Sequence, residues 1–215
     1  MTHQLMIRGV LFDMNGLFRH WRNTGAATSE RLANLPEGTI NRYAYQHPAY
    51  RLARVGVITD QQWADNVAAR LAADHGNHVH AALAPWREDR GEPVPDMIAL
   101  LDRIREQLPV GVLSNCTDAL YDDLKHHGIR FDHVMPSAGI GVDKPSPHAY
   151  QLAAERMGVL PAQLAYFDDE PTFVQAAATL GMHAHLFTSA DQIRDQLIAA
   201  GVPLTDGAED VRATV

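Results

Sequence analysis

"GVLFDMNGLF", residues 9–18, is the stretch whose reading decides the fold. A short apolar run from Gly9 to Phe12 meets Asp13, and Asn15-Gly16 then supplies a turn signal. The pattern predicts a buried strand over 8–14 that ends on a carboxylate. The next polar side chain, Asn15, is an amide and not a second acid.

The same pattern recurs beyond residue 92. "VGVLSN" (110–115) is an apolar run ending on Ser114 and Asn115, and "FDHVMPS" contains a short strand. "QLAYFDD" (163–169) ends on Asp168 and Asp169, and "MHAHLFTS" (182–189) reads as a last strand. Helical segments lie between these strands. Ile98, Leu101, Ile104 and Leu108 fall at helical spacing, "DALYDDLKHHG" is closed by Gly128, and "EPTFVQAAATLG" follows the paired acids. "SPHAYQLAAERMG" places Ser146 in the capping position and Pro147 at the first helical residue, and a final helix falls near 190–199. Strands alternating with helices predict an α/β fold: a Rossmann-like parallel sheet with helices on both faces. Ligands of such sheets bind outside the carboxyl ends of the strands, where the polar residues just named would gather.

Residues 17–92 have a different character, rich in Ala, Arg, Gln and Trp and without a convincing strand. "TDQQWADNVAARLAADHG" predicts a helix capped by Thr59 or Asp60, with Trp63, Val67 and Leu71 on one stripe and Gly76 as its stop. The region reads as a small helical insertion into a core made of 1–16 and 93–200, with "REDRGEPVP" (87–95) as the returning linker. The polar end, 201–215, reads as a flexible tail.

A chain of 215 residues with 46% hydrophobic and 20% charged residues has material for a substantial core. Its net charge of −8 and the lack of any basic run argue against nucleic acid or an anionic membrane as partner. No apolar run approaches the roughly 20 residues of a spanning helix. No signal peptide is evident before Asp13, and the single Cys116 fits a reducing compartment, so a cytoplasmic location is expected. The lysines are Lys125 and Lys144 alone.

The strand-end residues complement one another chemically. Asp13 offers an acyl nucleophile. Asp168 and Asp169 offer hard oxygen ligands suited to Mg2+, which takes its remaining ligands from phosphate and water. Lys144, in "DKPSPHAY", adds a point charge able to neutralise a phosphate oxygen. Ser114 adds a hydroxyl donor, expected at the start of a helix whose N–H groups favour an anion, with Asn115 beside it. The combination suits phosphoryl transfer, which depends on positioning and charge neutralisation.

In order and spacing, "FDMNG", "LSN", "DKP" and "YFDDEPTFVQAAATLGM" resemble the four motifs of the haloacid dehalogenase superfamily. The resemblance covers about 8–190, and the insertion resembles that superfamily's small C1-type cap. It implies Asp13 as nucleophile and metal ligand, the main-chain carbonyl of Asn15 as a second ligand, and Ser114 and Asn115 on the phosphoryl group. Lys144 would orient that group, and Asp169 would serve as the metal acid with Asp168 in support. The expected reaction is Mg2+-dependent hydrolysis of a small phosphorylated metabolite through a phosphoaspartyl intermediate.

Two positions depart from the pattern. Most such phosphatases carry a second Asp where this chain has Asn15, and an amide cannot trade a proton at neutral pH. Acid–base catalysis contributes roughly 10²–10⁴-fold, so a slow phosphatase is expected. Phe173 stands where relatives keep Asn or Asp, and reads as a packing residue. His20 is a candidate replacement acid, and Arg42, Arg51 and Arg54 are candidate substrate contacts. A phosphonate-cleaving relative would use a cap lysine, absent from 17–92, and a dehalogenase would not keep the paired acids. The rival of another class is a catalytically degenerate protein that binds a phosphorylated ligand or a protein partner.

Overall fold

The computed structural model describes residues 6–204. In chain order, β1 (Gly9–Phe12) leads to β2 (Arg19–His20) and a run of helices: α1 (Thr24–Leu32), α2 (Thr39–Tyr45), α3 (Pro48–Arg54), α4 (Asp60–His75), α5 (Val79–Ala82) and α6 (Ala84–Glu88). β3 (Glu92–Pro93) and α7 (Pro95–Arg105) follow, then β4 (Val110–Ser114), α8 (Leu120–His127), β5 (His133–Pro136) and α9 (Ser137–Ile140). The chain continues with α10 (Pro147–Arg156), β6 (Leu164–Asp168), α11 (Pro171–Thr179), β7 (His183–Leu186) and α12 (Ala190–Ala199).

The main sheet has five strands in the order β5-β4-β1-β6-β7, and every pairing in it is parallel. Helices cover both faces, which is why its central strands read as continuous apolar runs. Val10, Phe12, Val112, Ala165 and Phe167 pack towards Leu101 and Ile104 of α7 and Ile193 of α12. Leu11, Leu113, Leu164 and Tyr166 pack on the opposite face with Tyr150 and Ala153 of α10. This is the alternation a strand imposes on successive side chains. Phe12 lies 5.3 Å from Phe18 and 5.7 Å from Phe167 between ring centres. A buried ring of this kind contributes about 1.5–3 kcal/mol.

The chain winds from β1 out through β4 to β5, then crosses back to β6 on the other side of β1. The carboxyl ends of β1 and β6 therefore flank the point where the winding reverses, the crevice such sheets use for ligands.

A separate apolar cluster is built between Ala26 and Trp86, with Ile40, Trp63, Val67, Leu71 and Val79 at its centre. In α4 the Thr59 side chain accepts from the Gln62 N–H while the Gln62 side chain accepts from the Thr59 N–H, a reciprocal cap. The buried Glu30 carboxylate accepts from the Gly38 and Ile40 N–H groups at 3.0 and 2.8 Å, tying α1 to the start of α2. This helical unit is docked on the core. Arg54 pairs with Asp143 at 2.5 Å, the Ser137 hydroxyl donates to the Arg54 carbonyl at 2.6 Å, and Thr117 donates to Asp60 at 2.8 Å. Gly56 sits at φ +74° against the Ala138 carbonyl, which a Cβ there would approach to 2.2 Å. Any larger residue would force the two units apart.

Several expectations need correction. The region 17–92 does contain a strand: Arg19–His20 pairs antiparallel with Glu92–Pro93, a two-residue ribbon where the chain leaves the core and returns. So short a ribbon carries no alternation to read. Ser146 stands at the N-cap of α10 but its side chain makes no capping bond. The helix expected at Ser114 begins only at Leu120. Of the expected tail, Val202 and Leu204 are buried against the core, and 205–215 lie outside the described residues. Among the described residues no helix is long and apolar enough to cross a membrane.

Candidate active site

Asp13 follows β1 directly, Ser114 ends β4, and Asp168 ends β6, so three adjacent parallel strands deliver their polar ends to one edge of the sheet. Lys144 arrives from the loop between α9 and α10. Its ammonium, 2% exposed as a residue, donates to Asp13 Oδ1 at 2.8 Å, to Asp168 Oδ2 at 2.6 Å and to the Tyr166 hydroxyl at 3.1 Å. Phe173 supplies a ring face 4.9 Å from the same nitrogen. The residue expected only to pack therefore contributes a cation–π contact to the site's lysine. Lys125, by contrast, is exposed on α8.

Asn115 holds this lysine from behind. Its amide donates to the Lys144 carbonyl at 2.8 Å and accepts from the Lys144 N–H at 2.7 Å. The side chain expected to meet phosphate is committed to positioning the lysine loop. Tyr166, two residues before Asp168 on the same strand face, donates to the Asp168 carboxylate as well as accepting from Lys144.

The three carboxylates are crowded. Asp13, Asp168 and Asp169 each offer an oxygen within 4.8 Å of the others. Burial raises the Asp13 carboxyl above the usual carboxylate value; Lys144 pulls it back and Asp168 pushes it up again. Asp169 is raised too, by partial burial and then by Asp13 and Asp168. Burial alone would push the Lys144 ammonium down, but Asp13 and Asp168 outweigh it and hold it above the usual lysine value. The Asp168 oxygens are occupied, Oδ2 by Lys144 and Tyr166 and Oδ1 by the Glu170 N–H at 2.9 Å. Asp169 is exposed and lies over Gly16, where a Cβ would come within 2.0 Å of its Oδ2. Gly16 also has φ +80°, so both the turn and the carboxylate require the missing side chain.

Ser114 is buried, and its Oγ has no hydrogen-bond partner. An unsatisfied buried hydroxyl costs about 1–3 kcal/mol, which a ligand oxygen at this strand end would relieve. The Cys116 N–H, one of the amides expected to face an anion, instead donates to Ser137 Oγ at 3.0 Å.

Asn15 is held by Arg19, which the sequence did not single out, and by Trp21, one of the residues after the first motif expected where the insertion meets the core. Its Oδ1 accepts from Arg19 Nε at 3.1 Å, Arg19 Nη2 at 3.0 Å and Trp21 Nε1 at 3.1 Å. Arg19 is buried and pairs with Asp123 at 2.5 Å, and Arg90 meets the other oxygen of Asp123 at 3.0 Å. Beyond Asn15 a cavity of about 330 Å³ opens between the helical unit and the sheet edge, walled in part by Trp21, Tyr45, Tyr50, Trp63 and Trp86. His20 is exposed and does not line it, and neither do Arg42, Arg51 or Arg54; Arg19, Arg87 and Arg90 do. Spacing within 17–92 could not separate these arginines, because their facing depends on how the helices dock. Tyr166 could have been found, since residues i and i+2 of a strand share a face.

A profile for haloacid dehalogenase-like hydrolases matches residues 7–181. The chain belongs to that family of hydrolases. It is 31% identical over 190 residues to fructose-1-phosphate phosphatase YqaB of Escherichia coli, covering 82% of this chain and 94% of that one. Phosphatase MT3486 of Mycobacterium tuberculosis is 36% identical over 110 residues, a match spanning 48% of this chain and only 50% of the relative. Among solved structures, a haloacid dehalogenase family enzyme from Bacteroides thetaiotaomicron in complex with magnesium and inorganic phosphate superposes with a TM-score of 0.66 at 18% identity. That superposition covers 85% of this chain and 94% of the other and supports the fold alone.

Proposed function

We propose that the chain is a Mg2+-dependent phosphatase of a small phosphorylated metabolite, working through a phosphoaspartyl intermediate at Asp13. The observation that carries this reading is Lys144, whose ammonium joins Asp13 to Asp168 while Asp169 lies within ligand distance of both. A divalent ion fits the donor set. Three carboxylates share one lysine, and the raised Asp13 and Asp169 carboxyls mark a place short of positive charge. Asp13, Asp169 and the main-chain carbonyl of Asn15 would hold the ion, with Asp168 behind them. Bound there, Mg2+ would neutralise the carboxylates and take a phosphate oxygen as ligand.

The chain's own groups account for the rest. One Asp13 oxygen, kept in place by Lys144, attacks phosphorus, and the bond from phosphorus to the substrate oxygen breaks with its electron pair going to that oxygen. Ser114 Oγ donates to a phosphoryl oxygen, and Lys144 neutralises the charge that develops. Asn15 offers its amide N–H to the departing oxygen without giving up a proton. Water then cleaves the acyl phosphate, releasing phosphate and restoring the carboxylate.

The relatives named as phosphatases support this reading. To test it, the purified protein is assayed on acetyl phosphate with Mg2+, with chelator, and as Asp13→Asn. Turnover lost under both treatments is the expected result. Phosphate binding without any turnover would favour the degenerate binding protein instead.

A further inference from the structure

Asn15 has lost the ability to give a proton and has gained a fixed orientation. A carbonyl oxygen has two lone pairs, and Asn15 Oδ1 already accepts from Arg19 twice and from Trp21 once. Its remaining polar group is the amino nitrogen Nδ2, a donor with no partner among the described residues. Whatever leaves phosphorus beside Asn15 is therefore met by a donor that stabilises negative charge on oxygen but cannot neutralise it. A sugar hydroxyl, far less acidic than a phenol, leaves badly on those terms. A phenol, with pKa about 10, can depart as its anion.

The cavity beyond Asn15 points the same way. Tyr45, Tyr50, Trp63 and Trp86 form a connected set of rings, with centre distances of 4.9 Å for Tyr45–Tyr50, 5.4 Å for Tyr50–Trp63 and 5.6 Å for Trp63–Trp86. Trp21 and Tyr45 remain 43% and 46% exposed, so two aromatic surfaces stand uncovered beside the reaction centre. Trp21 is stiffened by the Arg19 guanidinium 4.5 Å from its ring centre.

The charged groups of the cavity are already committed. Arg19 and Arg90 share Asp123, Arg87 pairs with Asp60, and Asp89 accepts from the Gly25 and Gly91 N–H groups. With Arg19, Arg87 and Arg90 matched by Asp60, Asp89 and Asp123, a second phosphate or a carboxylate on the substrate would find no net positive charge there. A volume of about 330 Å³ suits one or two rings.

We propose, resting on the phosphatase reading above, that the substrates are aryl phosphates, monoesters of a phenolic hydroxyl whose ring stacks in the aromatic cavity between the helical unit and the core. In the chemical step the bond from Asp13 to phosphorus forms as the bond from phosphorus to the aryl oxygen breaks. The aryl oxide leaves with the electron pair, hydrogen-bonded to Asn15 Nδ2, and takes its proton from water after release. Water completes the cycle at the phosphoaspartate.

The test uses the intact protein with Mg2+ and separates recognition from reactivity. Calorimetry with two non-hydrolysable probes, phenylphosphonate and methylphosphonate, is expected to give about tenfold tighter binding for the phenyl compound. In Tyr45→Leu, whose side chain is half exposed, that gap is expected to shrink about 3- to 10-fold. Phenyl phosphate is expected to exceed fructose 1-phosphate in kcat/KM by at least about 100-fold. Equal binding of the two phosphonates, or fructose 1-phosphate turned over as well as phenyl phosphate, overturns the aryl proposal. If acetyl phosphate is still hydrolysed through Asp13 in that case, the phosphatase reading stands. Failure of acetyl phosphate and phenyl phosphate alike overturns both.

Discussion

Arg19 grips Asn15 by its side-chain carbonyl, with Nε and Nη2 donating to the same oxygen at 3.1 and 3.0 Å. The pair is four residues apart in a turn, yet the guanidinium is anchored 104 positions away, on Asp123. The amide that takes the place of the expected proton-trading acid is thus held by a cation.

That grip decides what Asn15→Asp will do. A carboxylate at this position would be held ionised by Arg19 and so would serve as a base for water more readily than as an acid for a leaving alcohol. The variant is expected to speed hydrolysis of the phosphoaspartate by about 10- to 100-fold, with a smaller gain in its formation from alkyl esters. Rapid-quench measurement of the two steps checks this, and equal gains in both would contradict it.

Arg19→Met should be costly to the fold. It leaves Asp123, 5% exposed, with Arg90 alone, and removing one partner of a buried pair costs about 3–5 kcal/mol. Urea denaturation of the two proteins measures it. A loss below about 1 kcal/mol would mean that Arg90 compensates.

The crowded carboxylates give a pH signature. Asp13 and Asp169 are raised in the folded chain, so their contribution to stability is fully present below the ordinary carboxylate range and is lost as pH rises through the folded values. A divalent ion relieves that loss only where the carboxylates are ionised. Mg2+ is therefore expected to raise Tm more at pH 7.5 than at pH 4.5, a comparison made by thermal scans with and without chelator. An equal shift at both values would place the ion elsewhere.

Lys144→Met removes the cation that joins Asp13 to Asp168. Turnover is expected to fall by about 10²–10³-fold or more. Mg2+ affinity should hold or tighten, because one positive charge has left the cluster. Calorimetry reads the second effect separately from activity, and weakened Mg2+ binding would show that the lysine mainly supports the fold of the site.

Cys116 is only partly buried and lines the cavity, yet it should react slowly because little of its thiol ionises. Burial pushes its thiol up to about 12, and its Sγ donates to the Ser114 carbonyl at 3.5 Å. Its stabilising contribution is present below the usual thiol value of about 8.5 and disappears as pH rises towards the folded one. Alkylation at pH 8 is expected to be slower in the native protein than in denaturant; equally rapid native labelling would contradict the raised thiol.

The amino-acid sequence by itself determined the alternation of strands and helices and the residues that end the strands, because both follow from local rules. A two-residue period puts Val10 and Phe12 on one face and Leu11 on the other, and a turn at Asn15-Gly16 must follow the carboxylate. The stripe of Trp63, Val67 and Leu71 on α4 was legible for the same reason. The tertiary structure alone decided which polar groups meet. Arg19 and Asp123 share no local pattern, and Asn115, expected on phosphate, is seen to hold the lysine loop only once the loop at Lys144 lies against it. The cavity's rings come from separate helices and a loop whose facing is set by docking on the core. Periodicity is encoded along the chain, whereas encounters between distant side chains exist only once the sheet and the helical unit have closed on each other.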